Sequence, residues 1–219
     1  MSAGALAGKT PAAILTLTAR AADAQSGVHY QLEAVQGSEE ETVTGDAGQD
    51  EGEQQRTVGS SQVQVELVGG TAYFAANAAG LEQTFGVPTS SAPQYAGTWV
   101  SVSSSDSLYR SLADSVVLAT VVGQILPTGA LDLLGSTTAE RQPVVAVRGG
   151  LPGEVQPGVT GSAILYVDTR RPDLPVAFSG RASNGTQHVV DSGVFDGWGE
   201  RLELSAPASA VSYSSLPTS

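Results

Sequence analysis

Two histidines are the side chains best suited to proton transfer near neutral pH, because imidazole titrates close to that pH. His29 and His188 are the only histidines among the 219 residues. Each lies in a segment that alternates between apolar and polar residues, and each occupies a polar position of that alternation. No serine stands in a glycine-rich elbow that would make it a nucleophile for either histidine. The sequence therefore predicts two outward-facing strand histidines, no catalytic residue and no enzyme activity.

Carboxylates concentrate in Glu39–Glu53, where seven acidic residues stand without a Lys or Arg. A calcium loop would need oxygen ligands at alternate positions and a glycine at the sixth. Counted from Asp46, the third position is Gly48 and the sixth is Glu51, so the pattern fails. The favoured interpretation is a solvated hairpin that protects an exposed sheet edge, and no metal site is predicted. Calcium binding is the alternative, which a calcium titration of the melting temperature would test.

Several kinds of site need residue types or motifs that the chain lacks. Cysteine is absent, which removes disulfides, thiolate metal sites and a cysteine nucleophile. The sequence contains neither a P-loop nor a dinucleotide motif, so no cofactor is predicted. Asn184-Gly185-Thr186 matches a glycosylation acceptor. Asn-Gly is also a strong type I′ hairpin signal, and that turn is sufficient to explain the motif.

A formal net charge of −12, from 22 acidic and 10 basic residues, limits the partners of the chain. Nucleic acid binding depends on cationic contacts to phosphates, so no nucleic acid partner is predicted. Anionic lipid headgroups are disfavoured for the same reason, and membrane association is expected to be peripheral only. The longest apolar run, Val116–Leu126, is about half of the ~20 residues that a membrane span needs. Met1–Gly8 lacks the length and the cationic start of a complete signal peptide.

The elements that must position these side chains are mostly strands. Thr10-Pro11 predicts the start of a helix that continues to about Gln25, since Thr is a preferred N-cap and Pro suits the first turn. From Val28 onward apolar residues recur at every second position, which predicts a meander of antiparallel strands. Gly69-Gly70 predicts a two-residue hairpin turn within it. The first five predicted strands are Val28–Ala34, Thr42–Ala47, Glu53–Val58, Gln62–Leu67 and Thr71–Ala75.

The rest of the chain also reads mainly as strands. A short helix over Ala79–Phe85, a loop over Pro88–Ala96 and a short strand over Thr98–Val102 are predicted. Later strands are predicted at Ala130–Ser136, Pro143–Arg148, Ser162–Asp168, Pro175–Arg181, Thr186–Phe195 and Arg201–Ser205. Pro207–Ser219 is expected to be a surface-tied or frayed tail. Because no linker divides the chain, we predict one α+β domain, an open antiparallel sheet with helices laid against it.

The segment Ser107–Leu126 is predicted to be one long helix, with Asp106 as its N-cap and Pro127 as its stop. Its residues are apolar on nearly every side, which indicates burial on more than one face. An ordinary core helix is the simpler interpretation. The alternative is a helix that packs on the sheet with one face and lines a cavity with another. The scarcity of large aromatic residues, four Phe and two Trp, favours the cavity.

Four local motifs occur in an order that matches a known family. They are AADAQSGVHY at Ala21–Tyr30, LVGGTAY at Leu67–Tyr73, YAGTWVSV at Tyr95–Val102 followed by Asp106, and FDGWGERLELSAP at Phe195–Pro207. In this order they resemble the actinobacterial LppX/LprG-type lipoproteins. Each motif is weakly specific, and their succession along the chain carries the resemblance.

The resemblance implies a LolA-like fold, a strongly curved antiparallel half-barrel of about 10 to 11 strands with helices on its concave face. It covers residues 10–207, which are expected to form the single domain, with 1–9 and 208–219 as terminal extensions. Members of the family are exported to the cell envelope and usually tethered through a lipidated cysteine, which this chain lacks. We therefore expect an extracytoplasmic protein, either anchored through a segment upstream of Met1 or soluble.

For function, the resemblance implies a non-catalytic carrier that holds lipid or glycolipid acyl chains in an apolar cavity between sheet and helices. Each CH₂ removed from water contributes ~0.8 kcal/mol, so a sixteen-carbon chain contributes roughly 10 kcal/mol before ordering costs. The alternative is an envelope domain with a filled core that binds a protein partner and no lipid. Periodicity assigns the cavity lining to Leu32, Leu67, Leu112, Val116, Val117, Val121, Val145, Tyr166 and Phe178.

Overall fold

The computed structural model describes residues 6, 8–152, 157–170 and 173–217. Within these residues the dominant element is one sheet of twelve strands. The strands are β1 Gly27–Gln36, β2 Glu39–Gly48, β3 Gly52–Val58, β4 Ser61–Val68, β5 Thr71–Ala76, β6 Val100–Val102, β7 Thr128–Ala139, β8 Gln142–Gly150, β9 Thr160–Asp168, β10 Pro175–Ser183, β11 His188–Asp196 and β12 Val211–Ser212. Of the expected terminal extensions, residues 1–5, 7 and 218–219 lie outside the described residues.

Five short α-helices and one turn of 3₁₀ helix accompany the sheet in the described part of the chain. They are α1 Pro11–Asp23, α2 Ala78–Phe85, α3 Ala92–Tyr95, α4 Tyr109–Asp114, α5 Leu118–Gly123 and the 3₁₀ turn Tyr213–Ser215. The predicted cap of α1 is present, since the Thr10 side chain accepts a hydrogen bond from the backbone N–H of Ala13. Asn77 caps α2 in the same way through Gly80, and Gly86 ends that helix in the left-handed conformation.

The sheet is open and combines two meanders. Its strand order is β12-β6-β5-β4-β3-β2-β1-β11-β10-β9-β8-β7. The chain builds β1 to β6 outward from the middle, then starts again at the far edge with β7 and returns inward until β11 pairs with β1. All neighbouring pairs are antiparallel except β12 and β6. The predicted α+β class with a large, open, curved and mostly antiparallel sheet is confirmed.

The conformation of each hairpin turn depends on the residues at its tip. Gly69-Gly70 forms the predicted two-residue turn between β4 and β5, with φ of 57° and 76°. Glu140-Arg141 joins β7 to β8 with positive φ at both residues as well. The predicted hairpin between β10 and β11 is present, but a type I′ turn is wrong there. Asn184 has no positive φ, and its Oδ1 accepts hydrogen bonds from the backbone N–H groups of Thr186 and Gln187 in a longer loop.

The prediction of one helix over Ser107–Leu126 is wrong, because the chain breaks into α4 and α5. Val117 lies between them with extended backbone and forms an isolated parallel bridge to Gly48. Gly52 permits this approach, since a Cβ there would collide with the carbonyl oxygen of Val116. Consecutive β-branched valines tolerate extended backbone well, so the contact with the sheet decides the conformation.

Polar side chains fix the break between α4 and α5 to the sheet. The Tyr30 hydroxyl donates to Gln54 Oε1 at 3.1 Å and lies 3.4 Å from the carbonyl oxygen of Ser115. The Gln54 amide donates to Ser115 Oγ at 3.1 Å. Asp106, the expected N-cap, instead accepts hydrogen bonds from the backbone and hydroxyl of Ser103. The missing cap contributes to the late start of α4.

Three further segments differ from expectation. Arg201–Ser205 is not a strand, because β1, next to which the chain arrives, already pairs with both β2 and β11. The expected loop Pro88–Ala96 contains α3. The expected tail adds edge strand β12 beside β6, and Leu216 is buried in the core. Residues beyond 207 therefore contribute to the sheet and its packing.

All core packing described below lies on one face of the sheet. Tyr30 of β1 stands opposite Gly45, Gly45 opposite Gln54, and Gln54 opposite Val65 of β4. Tyr30 and Val65 therefore share a face, and we call it the inner face. A first core cluster joins α1 and α5 to this face, with members that include Ile14, Val28, Tyr30, Leu118, Val121, Val122, Leu165 and Phe195. A second joins α2 and α4 to it, with members that include Val63, Val65, Leu67, Phe74, Leu81, Phe85, Leu112 and Val116.

Candidate functional site

An apolar hollow of about 210 Å³ opens on the inner face beside Ile125, just beyond the end of α5. Leu32 lies at its centre, because β1 pairs it with Val43 on one side and Gly193 on the other. Gly193 in turn stands opposite Phe178 of β10. The apolar lining consists of Leu32, Ala34, Val43, Ile125 and Phe178. The hollow is thus built where the two meanders of the sheet meet.

A second hollow of about 280 Å³ continues the first towards the hairpin that joins β1 to β2. The two hollows share Ala34 and Glu41. Its other lining residues are Gln36, Glu39, Arg56, Val58 and Val189. We call the two hollows together the inner groove. The groove is apolar at the α5 end and carries charged side chains at the other end.

Two glycines on the inner face make room for side chains of the groove. A Cβ at Gly193 would overlap Cδ2 of Leu32. A Cβ at Gly180 would overlap the carboxylate of Asp191, which stands opposite it across the β10–β11 pair. Leu32 and Asp191 therefore lie flat across the neighbouring strand. Larger residues at either glycine would force these side chains to move.

The groove holds one ion pair. Arg56 Nε donates to Glu41 Oε1 at 2.5 Å, and both side chains are more than one third exposed. This hydrogen bond raises the pKa of Arg56, although burial opposes the effect. Because both side chains are open to solvent, the pair contributes little stability.

Asp191 lies in the same groove without such a partner. No Lys, Arg or His of the described residues forms a salt bridge with it. Burial raises the pKa of Asp191, and an interaction with its own backbone offsets part of this increase. Its carboxyl group is therefore half-buried next to the apolar end of the groove, with no cationic side chain of the described residues bound to it.

The structure brings two of the predicted lining residues together in the groove, Leu32 and Phe178. Val121 and Val145 are buried in the first core cluster, where side chains of the protein surround them. The remaining inner-face candidates belong to the second cluster or its margin: Leu67, Leu112, Val116 and Val117. Packing therefore separates these eight candidates into a groove and two filled regions.

Tyr166 is the exception, because it lies on the other face of the sheet. Its neighbours Leu165 and Val167 belong to the first core cluster, and successive residues of a strand point to opposite faces. Tyr166 is opposite Ala146 and Ala177, and neither alanine is in that cluster. Tyr166 therefore lies on the face opposite the inner groove.

Sequence reasoning missed Asp191 and the Glu41–Arg56 pair. The signal that could have found Asp191 is the periodicity of β11, in which Val189, Asp191, Gly193 and Phe195 share one face. The aromatic residue at the end of this series marks the buried side. In His188–Asp196 two valines lie on the outer face and one on the inner face. The outer face therefore looks like the buried one in the sequence.

The outer face carries the two histidines and a row of acids. His29 is half-buried, and its Nδ1 lies 2.9 Å from Asp46 Oδ1; His188 is exposed. Asp46 stands opposite Glu53, and Glu53 opposite Glu66. Burial, and then the charge of Glu53, raises the pKa of Glu66. Within the described residues no group of three or more His, Asp or Glu is arranged to hold a metal ion.

Crystal structures of two mycobacterial proteins share this architecture. LprF from Mycobacterium bovis is 16% identical, with a TM-score of 0.54, over 91% of this chain and 97% of that chain. The lipoprotein LppX from Mycobacterium tuberculosis is 12% identical, with a TM-score of 0.54, over 90% of this chain and 100% of that chain. This chain has the LppX-type fold. The LppX/LprG-type, LolA-like resemblance of the sequence motifs is thus confirmed for the fold.

Sequence comparison adds nothing to the structural likeness to LppX. No protein-family model and no curated protein matches the chain by sequence. In the described part of the chain, no helix has the length and apolarity needed to cross a membrane.

Proposed function

We propose that the protein is a non-catalytic carrier that binds single-chain amphiphiles in the inner groove. The acyl tail lies in the apolar hollow against Leu32, Val43 and Phe178, beneath Ile125. The observation that supports this proposal is the hollow itself, an apolar part of the inner face that the helices leave open. Soluble proteins usually cover such a surface unless it binds something.

The size of the hollow sets the length of tail that it can bury. An apolar cavity of ~150 Å³ holds benzene, so about 210 Å³ has room for about eight carbons. Their transfer from water contributes about 6 kcal/mol before ordering costs. Longer tails continue along the second hollow past Ala34 and Val58. A free energy of this size is enough for the protein to bind an amphiphile and still permits its release.

The same proposal includes the curvature of the sheet and the cellular location of the protein. The sheet is a strongly curved half-barrel whose concave side is the inner face, and it forms a single domain that works in the cell envelope. The LppX-type fold supports this, because LppX is a lipoprotein. The chain needs no catalytic group for this role, since burial of the tail drives binding.

Adjacent residues of β1 provide the test. Ala34 lies on the inner face within both hollows, and Val35 is exposed on the outer face. We expect Ala34→Trp to fill the groove and weaken binding of decyl maltoside at least about tenfold, a loss of ~1.4 kcal/mol. Val35→Trp should leave the affinity within about twofold. Calorimetric titration measures both variants, and circular dichroism confirms that both remain folded.

The outcomes separate the carrier from the alternative, an envelope domain that binds a protein and no lipid. The burial of Leu112, Val116 and Val121 among the protein's own side chains favours that alternative for the α4–α5 region. If the wild-type protein binds neither decyl maltoside nor another amphiphile with a ten-carbon tail, the carrier proposal fails and the protein-binding function is preferred. Equal losses in Ala34→Trp and Val35→Trp would place any binding elsewhere.

A further inference from the structure

Two carboxylates flank Ala34 at the point where the groove changes from apolar to charged. Asp191 stands opposite Ala34 from β11, and Glu41 stands opposite it from β2. Neighbouring strands lie ~4.8 Å apart, so the backbones of the two acids are about 10 Å apart. Ala34 has only a methyl group between them, which leaves this space open. A ligand that passes from one hollow to the other must pass between these acids.

The groove as a whole has an excess of negative charge. Its inner-face lining contains three carboxylates, Glu39, Glu41 and Asp191, and one cation, Arg56. Arg56 is already paired with Glu41. An anionic ligand head in the groove would therefore face carboxylates that no cation balances. A cationic head would find the Asp191 carboxylate without an ion-pair partner.

Asp191 lies across the neighbouring strand β10. Its carboxylate lies on Gly180, where a side chain would displace it. Ala34 and Ser192, its neighbours in the lining, carry no charge. An ammonium group offers three donors to such an acceptor, and a charge-assisted hydrogen bond is about twice as strong as a neutral one.

We infer that the amphiphile carried in the inner groove has an amine-bearing, cationic polar head, which Asp191 binds beside Ala34 while the tail occupies the hollow at Phe178. This inference rests on the proposed function and adds the class of ligand. Charge complementarity supplies the selectivity: an amine gains an ion pair in a partly desolvated site, whereas a carboxylate or phosphate head meets like charges.

The test compares three single-chain probes with the same ten-carbon tail: decylamine, decyl maltoside and decanoate. At pH 7 and low salt we expect decylamine to bind at least about tenfold more tightly than decanoate. Asp191→Asn should reduce this ratio to about threefold or less and leave decyl maltoside binding unchanged. Asp196→Asn removes the same charge from the outer end of the same strand, opposite His29, and should leave the ratio unchanged.

These outcomes keep the two proposals apart. If decyl maltoside binds but decanoate binds as tightly as decylamine, the inference is overturned and the carrier function stands. An equal fall in the ratio for Asp191→Asn and Asp196→Asn would show attraction by the overall negative charge, and would also overturn it. If none of the three probes binds, the carrier function itself fails.

Discussion

Replacing Gly52 with alanine should loosen the attachment of the α4–α5 break to the sheet. A Cβ at this position would collide with the carbonyl oxygen of Val116, and would lie 2.9 Å from the carbonyl oxygen of Asp46 and 3.0 Å from Val116 Cβ. Two of these three atoms are backbone, so no rotamer change relieves the contact. Val116 is fully buried, which leaves it no space to retreat.

The size of the effect follows from these contacts. Overpacking of a filled core costs about 1–3 kcal/mol. Replacing glycine by alanine also stabilises by about 0.4–1 kcal/mol, because the unfolded chain loses freedom. We therefore expect Gly52→Ala to lower the free energy of unfolding by about 1–2 kcal/mol. For a chain of this length that corresponds to a fall in melting temperature of about 2–8 °C.

Gly123→Ala is the matched control. This residue ends α5, its φ is not positive, and a Cβ there would meet no heavy atom within 4 Å. We expect no loss of stability and a gain of up to about 1 kcal/mol. Urea unfolding, followed by far-UV circular dichroism, measures both variants. A Gly52→Ala protein as stable as Gly123→Ala would refute the docking of Val116 on the sheet.

Two further predictions concern side chains on opposite faces of the sheet. Tyr30→Phe removes the hydroxyl that donates to Gln54 Oε1 and should lower the free energy of unfolding by about 1–2 kcal/mol, as measured by urea unfolding. The Tyr73 hydroxyl makes no hydrogen bond within the described residues, so Tyr73→Phe should cost less. Equal losses in the two variants would contradict the role of the Tyr30 hydrogen bond. Glu66 has a raised pKa in the folded state, so its ionisation lowers the free energy of unfolding as pH rises above the ordinary glutamate pKa. Glu66→Gln should therefore gain stability relative to the wild type between pH 4 and pH 7, and the same difference at both pH values would disprove this.

Local alternation was sufficient to predict most strands. Val63, Val65 and Leu67 alternate with polar residues, and Gly69-Gly70 fixes the register of the hairpin that follows. The alternation also predicted the outward direction of His29. These elements follow from the sequence because side chains within a few residues of each other determine them.

The break between α4 and α5 could not be predicted in this way. Val116 and Val117 suit either a helix or an extended segment, and the choice depends on Gly48 and Gly52, which are distant in sequence. The face of the sheet on which Tyr166 lies could not be predicted for a different reason. β9 has large apolar residues on both faces, Ile164 and Tyr166 on one and Leu165 and Val167 on the other, so its pattern does not show which face is inner.

The candidate site was predictable only in part. Leu32 and Phe178 follow from periodicity, but their meeting depends on the pairing of β1 with β11. Asp191 interrupts an apolar series and, from the sequence alone, suggests a solvent-facing position. Gly180 and Gly193 supply the space that reverses this expectation, and such space depends on the register between strands.

The pairing of β1 with β11 is a seam that joins segments from opposite ends of the chain. Each meander can form from contacts between consecutive strands, whereas the seam must wait for a long loop to close, which slows its formation. Leu32 and Ala34 lie on one side of the seam, and Asp191 and Gly193 on the other. A slip of one residue would send the acid to the opposite face. The groove therefore depends on correct pairing at this seam, and a bound amphiphile would stabilise the sheet in which β1 and β11 are paired in the observed register.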